Sequence, residues 1–87
     1  MIMKTFGYTI KDELGIHARP AGILVKEAKN YESKIKITKG QKTAEATRLM
    51  AIMGMAVKNG DTVTVSIEGP DEDQAFEGIK AFFESNL

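Results

Sequence analysis

The sequence predicts a two-layer α+β sandwich: a mostly antiparallel sheet of four strands, with three helices covering one face. Two observations carry this prediction. Four segments alternate apolar and polar residues at period two, three place apolar residues at helical spacing, and their order is strand, helix, strand, strand, helix, strand, helix (βαββαβα). The strands are apolar on one side only, which favours an antiparallel sheet open to water on the other, and amphipathic helices then close the second layer.

Lys4 to Ile10 puts Phe6, Tyr8 and Ile10 on one side, as a strand does. Met1 to Lys4 lead into it without the apolar core of a signal peptide. Lys11 to Gly15 is a polar loop. A helix is expected from near Ala18, because Pro20 suits a first turn, where its missing N–H is no loss. Ala21, Leu24, Val25 and Ala28 share one helical face, and Asn30 to Ser33 end it. Lys34 to Lys39 alternates with Ile35 and Ile37 inward, and Gly40-Gln41 turns tightly into a short strand, Lys42 to Ala46. Thr47 is read as the N-cap of a short helix from Arg48 to Gly54. Asn59-Gly60-Asp61 marks a turn before the clearest strand, Thr62 to Glu68, with Val63, Val65 and Ile67 on one face. Gly69-Pro70 breaks that strand. Asp71 with Gln74 reads as a capping box with Asp in place of Ser or Thr, and Asp71, Glu72 and Asp73 suit the positive end of a helix dipole. Ala75, Ile79, Phe82 and Phe83 form the last buried stripe.

At 87 residues the chain, 1–87, reads as one domain with room for a single modest core. It has no cysteine, hence no disulfide framework or thiol chemistry, and it fits a reducing, cytoplasmic setting. No stretch approaches the roughly 20 apolar residues of a membrane span. The net charge is zero but unevenly spread: residues 1–60 hold 11 of 12 Lys/Arg and 5 of 12 Asp/Glu, and the remainder is acidic. A basic face of this kind steers anions or acidic partners. Nucleic acid is not expected, since the cations are scattered and no aromatic residues interleave with them. One histidine and no cysteine leave no metal-ligand pattern, and no serine has an elbow-like context for a hydrolase.

Gly15-Ile16-His17-Ala18-Arg19-Pro20-Ala21 concentrates the chemistry. It holds the only histidine of the chain at an expected helix start. Neutral imidazole is a good nucleophile near neutral pH. A phosphoryl group on it would carry nearly two negative charges, which the unpaired N–H groups and dipole of the following helix favour. Arg19 adds a charge-assisted contact, and Gly15 permits the tight turn that lets a partner approach. Spacing alone leaves open a cap or a solvated surface histidine.

These seven residues resemble the active-site signature of HPr, the histidine-containing phosphocarrier of the bacterial phosphoenolpyruvate–sugar phosphotransferase system. Lys4-Thr5-Phe6, Val25, Ile35 and Ile37, Lys42-Thr43, Leu49-Met50 with Met53, and Val63 to Gly69 follow in family order. The loop Lys11 to Leu14 looks about two residues longer than is usual for that family. The resemblance implies a four-stranded antiparallel sheet with three helices on one side, no cofactor and no metal. It implies that His17 accepts a phosphoryl group on Nδ1 from enzyme I and passes it to enzyme IIA of sugar permeases. Ala18 and Arg19 would cradle the group at the helix start, with Arg19 balancing its charge.

The same resemblance makes Leu49, Met50 and Met53, with Arg48 beside them, the exposed surface that docks those partners, while Ile52 and Met55 turn inward. Flexible thioethers suit several partner shapes. Some family members carry a regulatory serine at the start of this helix; a gapless count places Arg48 there, so that control is expected to be absent, with Thr47 adjacent. Arg48 is either a contact for an acidic docking face or a solvated charge. The protein is expected to act as a monomer. A regulatory paralogue using the same His17 relay outside sugar transport is the alternative, and a binding module with His17 as a mere cap is the third possibility.

Overall fold

The computed structural model describes residues 3–87; Met1 and Ile2, at the head of the segment read as leading into the first strand, lie outside the described residues. The elements are β1 (Lys4–Thr9), α1 (Ala18–Ala28), β2 (Lys34–Lys39), β3 (Lys42–Glu45), α2 (Leu49–Gly54), β4 (Thr62–Glu68) and α3 (Glu72–Asn86). The sheet order is β1-β4-β2-β3, antiparallel at every pairing. Thus β4, the segment with the plainest alternation, is central, pairing Val65 with Phe6 on one side and with Ile37 on the other.

The core lies between one sheet face and the helices. Ile35, Ile37, Ala44, Val63, Val65 and Ile67 point into it from the strands, and Ala21, Leu24, Ala28, Ile52, Ala75, Ile79 and Phe83 meet them from the helices. Phe83 anchors α3 to β1 through edge-to-face contacts with Phe6 at 5.8 Å and Tyr8 at 5.5 Å between ring centroids. Each such pair adds about 0.5–1.5 kcal/mol beyond its area. On the other sheet face Thr5, Thr9, Lys36, Thr43 and Thr64 meet water.

Two caps differ from expectation. The N-cap of α2 is Arg48, not Thr47, with no side-chain cap bond. The Arg48 guanidinium instead pairs with Glu45 at 3.1 Å. β3 accordingly stops at Glu45, and the Ala46 N–H crosses to Ile35 O at 2.8 Å. At α3, Asp71 occupies the N-cap but its side chain makes no cap bond, so the capping box with Gln74 does not form. Its carboxylate accepts the N–H groups of Glu32 and Ser33, each at 2.9 Å, and the Ser33 hydroxyl. These bonds, the Ser33 hydroxyl first, hold the Asp71 carboxyl below its usual range. A donor cluster 38 and 39 residues earlier in the chain takes the carboxylate from the local helix end. Glu72 partly replaces it by accepting the Gly69 N–H at 3.2 Å.

Helices α1 and α3 meet where Gly78 gives room to Tyr31. A Cβ at Gly78 would overlap the Tyr31 hydroxyl. That hydroxyl donates to Glu27 Oε2 at 2.7 Å, and the bond, with some burial, pushes the phenol up to about 12. Its folded value exceeds the unfolded one, so its contribution to stability is whole below about pH 10 and fades as pH rises through 12. Gly78→Ala should expel the hydroxyl from Glu27. Spectrophotometric titration of the phenols should then show the ionisation near pH 12 moving down toward about 10.

Candidate functional site

The loop between β1 and α1 is tied down at several points before it reaches the histidine. The N–H groups of Lys11 and Asp12 both donate to Leu87 O, and the Asn59 amide donates to Lys11 O at 3.1 Å. The Asp12 carboxylate folds back onto the Leu14 N–H at 2.8 Å. Next comes the closest approach in the loop. Gly15 sits at φ +69°, and a Cβ there would run into the Val57 carbonyl and come within 2.7 Å of Lys58 Cα. The Ile16 N–H then donates to Val57 O at 3.0 Å, and its side chain is buried. Glycine is required here both for its backbone angle and for its missing side chain.

His17 follows as the N-cap of α1, in extended conformation, its own carbonyl accepting the Ala21 N–H at 3.0 Å. The ring is half-buried and reachable from solvent. Ala18 and Arg19 are exposed, and their N–H groups have no hydrogen-bond partner among the described residues. Pro20 follows, buried and without a donor. Two main-chain donors and the positive end of an 11-residue helix therefore stand beside one imidazole. No acidic residue lies in that first turn to compete with an incoming anion.

His17 and Arg19 line an open cleft of about 250 Å³ together with Asp12, Pro20, Ile23, Ser85 and Asn86. The cleft lies between the start of α1 and the end of α3, so the chain's first third and its last turn both build it.

The family model described as PTS HPr component phosphorylation site matches residues 4–85. The chain belongs to the HPr family. Among its relatives, Phosphocarrier protein HPr of Lysinibacillus sphaericus is 46% identical over 77 residues, covering 88% of each chain. The HPr-like protein Crh of Halalkalibacterium halodurans is 40% identical, over 86% of this chain and 89% of its own. The solved histidine-containing phosphocarrier protein of Mycoplasma superposes with a TM-score of 0.91 at 38% identity, covering 94% of this chain and 93% of that one. This HPr-family chain has the family's antiparallel open sheet and three helices. Among the described residues no helix is long and apolar enough to cross a membrane.

The residues of α2 divide by exposure. Met50 is 78% exposed, and Leu49 and Met53 are each 38% exposed, whereas Ile52 and Met55 are buried in the core. Arg48 stands exposed at the head of α2. Sequence reasoning missed Asp12, Ile23, Ser85 and Asn86 as neighbours of His17. Ile23 did leave a signal: it falls outside the apolar stripe of α1 and is 45% exposed. The other three are polar residues brought in by the chain path alone.

Because Gly15 has neither the angle nor the room for a side chain, Gly15→Ala should lower unfolding free energy by about 2–4 kcal/mol, combining left-handed strain with a backbone collision. Denaturant unfolding with an unchanged m-value would measure it.

Proposed function

We propose that this protein is a working phosphocarrier: His17 takes a phosphoryl group from phosphorylated enzyme I and delivers it to enzyme IIA of sugar permeases. The single observation that carries this reading is the half-buried, solvent-reachable His17 ring at the head of α1, beside two N–H groups without partners. The neutral ring's lone pair, at Nδ1, attacks phosphorus as the bond to the donor's nitrogen breaks. The donor leaves with its electron pair, and the reverse step at a second histidine completes the relay. The phosphoryl oxygens gain the Ala18 and Arg19 N–H groups, the helix dipole and the Arg19 guanidinium. These are exposed contacts of moderate strength, which a carrier needs, since tight ground-state binding would oppose departure.

Leu49, Met50 and Met53 would form the apolar ground on which both enzymes sit, with Arg48 steering acidic surfaces toward it. With Arg48 where some relatives carry a phosphorylated serine, the serine-directed branch of control would be missing. Every proposed group comes from one copy of the chain, so the relay needs only a monomer, and it would run in the cytoplasm where its substrates are made. A second reading is a regulatory paralogue that would use the same His17 relay for other targets. Onward transfer to enzyme IIA separates the two.

Enzyme I with phosphoenolpyruvate should add one acid-labile, base-stable phosphate to the chain, and His17→Ala should abolish the label. Equal labelling of His17→Ala and wild type would remove His17 from the reaction. Met50→Asp, on the most exposed apolar side chain of α2, should raise KM for the chain about tenfold in that assay. Its kcat should stay within about twofold, since it lies on the docking surface and not on the reacting ring.

A further inference from the structure

The segment that follows α2 supports the histidine loop from below, and it is itself held by an ion pair that no part of the proposed relay uses. Ala56 is the only non-glycine residue with positive φ among the described residues, at +53°, and it reverses the chain at the end of α2. Lys39, the last residue of β2, reaches across to this reversal. Its Nζ donates to Ala56 O at 3.2 Å and pairs with Asp61 Oδ2 at 2.8 Å. Asp61 Oδ2 also accepts the Lys58 N–H at 2.8 Å, and the Asp61 N–H returns to Lys58 O at 2.9 Å. Residues 56–58 are thereby fixed from one side by Lys39 and Asp61. From the other side, Val57 O receives the Ile16 N–H at 3.0 Å, and Gly15 lies against Val57 and Lys58. His17 is the next residue.

We propose that Lys39, through its bonds to Ala56 O and Asp61, is a positioning residue for His17: it sets the height of the strap 56–58 on which the histidine loop rests. The inference rests on the phosphoryl-transfer role of His17. Lys39 does not line the cleft, and it acts through its own Nζ bond to Ala56 O followed by the backbone bond from Ile16 to Val57. Its side chain and that of Asp61 are each 32% exposed, so the pair is partly shielded from solvent. Removing Lys39 leaves the Ala56 carbonyl and the Asp61 carboxylate without their shared cation. The left-handed turn at Ala56, unfavourable for an alanine, then loses the contact that holds it.

The test compares Lys39→Met, Lys39→Arg and Asp61→Asn in the full chain, with two readouts. Amide hydrogen exchange should show the Ile16 N–H of Lys39→Met exchanging about tenfold faster than in wild type while the amides of β4 keep their rates. Labelling by enzyme I and phosphoenolpyruvate should show kcat falling several-fold with KM within about twofold, because the exposed face of α2 is untouched. Lys39→Arg, which keeps a cation in reach, should restore both, and Asp61→Asn should fall between. If Ile16 exchange is unchanged, or if it rises only in step with the β4 amides, Lys39 does not hold the loop. If Ile16 exchange quickens and kcat does not fall, the strap has no part in transfer. Absence of labelling in the wild-type chain would overturn the phosphocarrier reading itself, and the Ile16 exchange would still decide whether Lys39 anchors the strap.

Discussion

One backbone contact organises this molecule: the Ile16 N–H on the Val57 carbonyl, made possible because Gly15 has no side chain to hold the two segments apart. It joins the loop that carries the histidine to the residues immediately after α2. By itself such a bond is worth about 0.5–1.5 kcal/mol net. Its weight comes from what it connects. The His17 ring and the helix that exposes Met50 ride on one backbone junction, and the core residues Ile16 and Val57 bury both halves of it. The imidazole and the exposed face of α2 are therefore held at a set distance from each other. Without the junction the two would be separate surface features joined by some 30 residues of chain.

The groups proposed to hold the anion are few: two main-chain donors, one helix end and the Arg19 guanidinium, all at the surface. An enzyme that completes a reaction on a bound substrate surrounds the transition state with groups in a water-excluded site. A carrier has the opposite requirement, because the group it receives must depart again. The solvent-reachable His17 and the open cleft fit that requirement.

The fold was readable because alternation and helical spacing are local. β4 announces itself in Val63, Val65 and Ile67, and α3 in Ala75, Ile79, Phe82 and Phe83; all seven are buried. His17 was readable as the residue before a helix whose first turn holds Pro20. What escaped is what depends on distant segments. Thr47 has the chemistry of a cap, yet the chain path puts Arg48 at the position, and its cation finds Glu45. Asp71 has the chemistry of a cap too, but three donors of Glu32 and Ser33, 38 and 39 residues away, claim its carboxylate. Asp12, Ser85 and Asn86 become neighbours of His17 only once Leu87 O ties the end of α3 to Lys11 and Asp12. No periodicity encodes such long-range meetings.

The bare face of the sheet has a quieter significance. Thr5, Thr9, Thr43 and Thr64 stand there among lysines, with hydroxyl pairs such as Thr9 with Thr62 at 2.9 Å and Thr38 with Thr43 at 3.1 Å bridging neighbouring strands. These side chains support no helix and border neither the cleft nor α2. Evolution can rewrite them at little cost, since a swap there alters hydration and strand propensity more than packing. Lineages of this protein are thus expected to drift apart fastest on that outward-looking wall, so that its composition records ancestry while the opposite wall records chemistry.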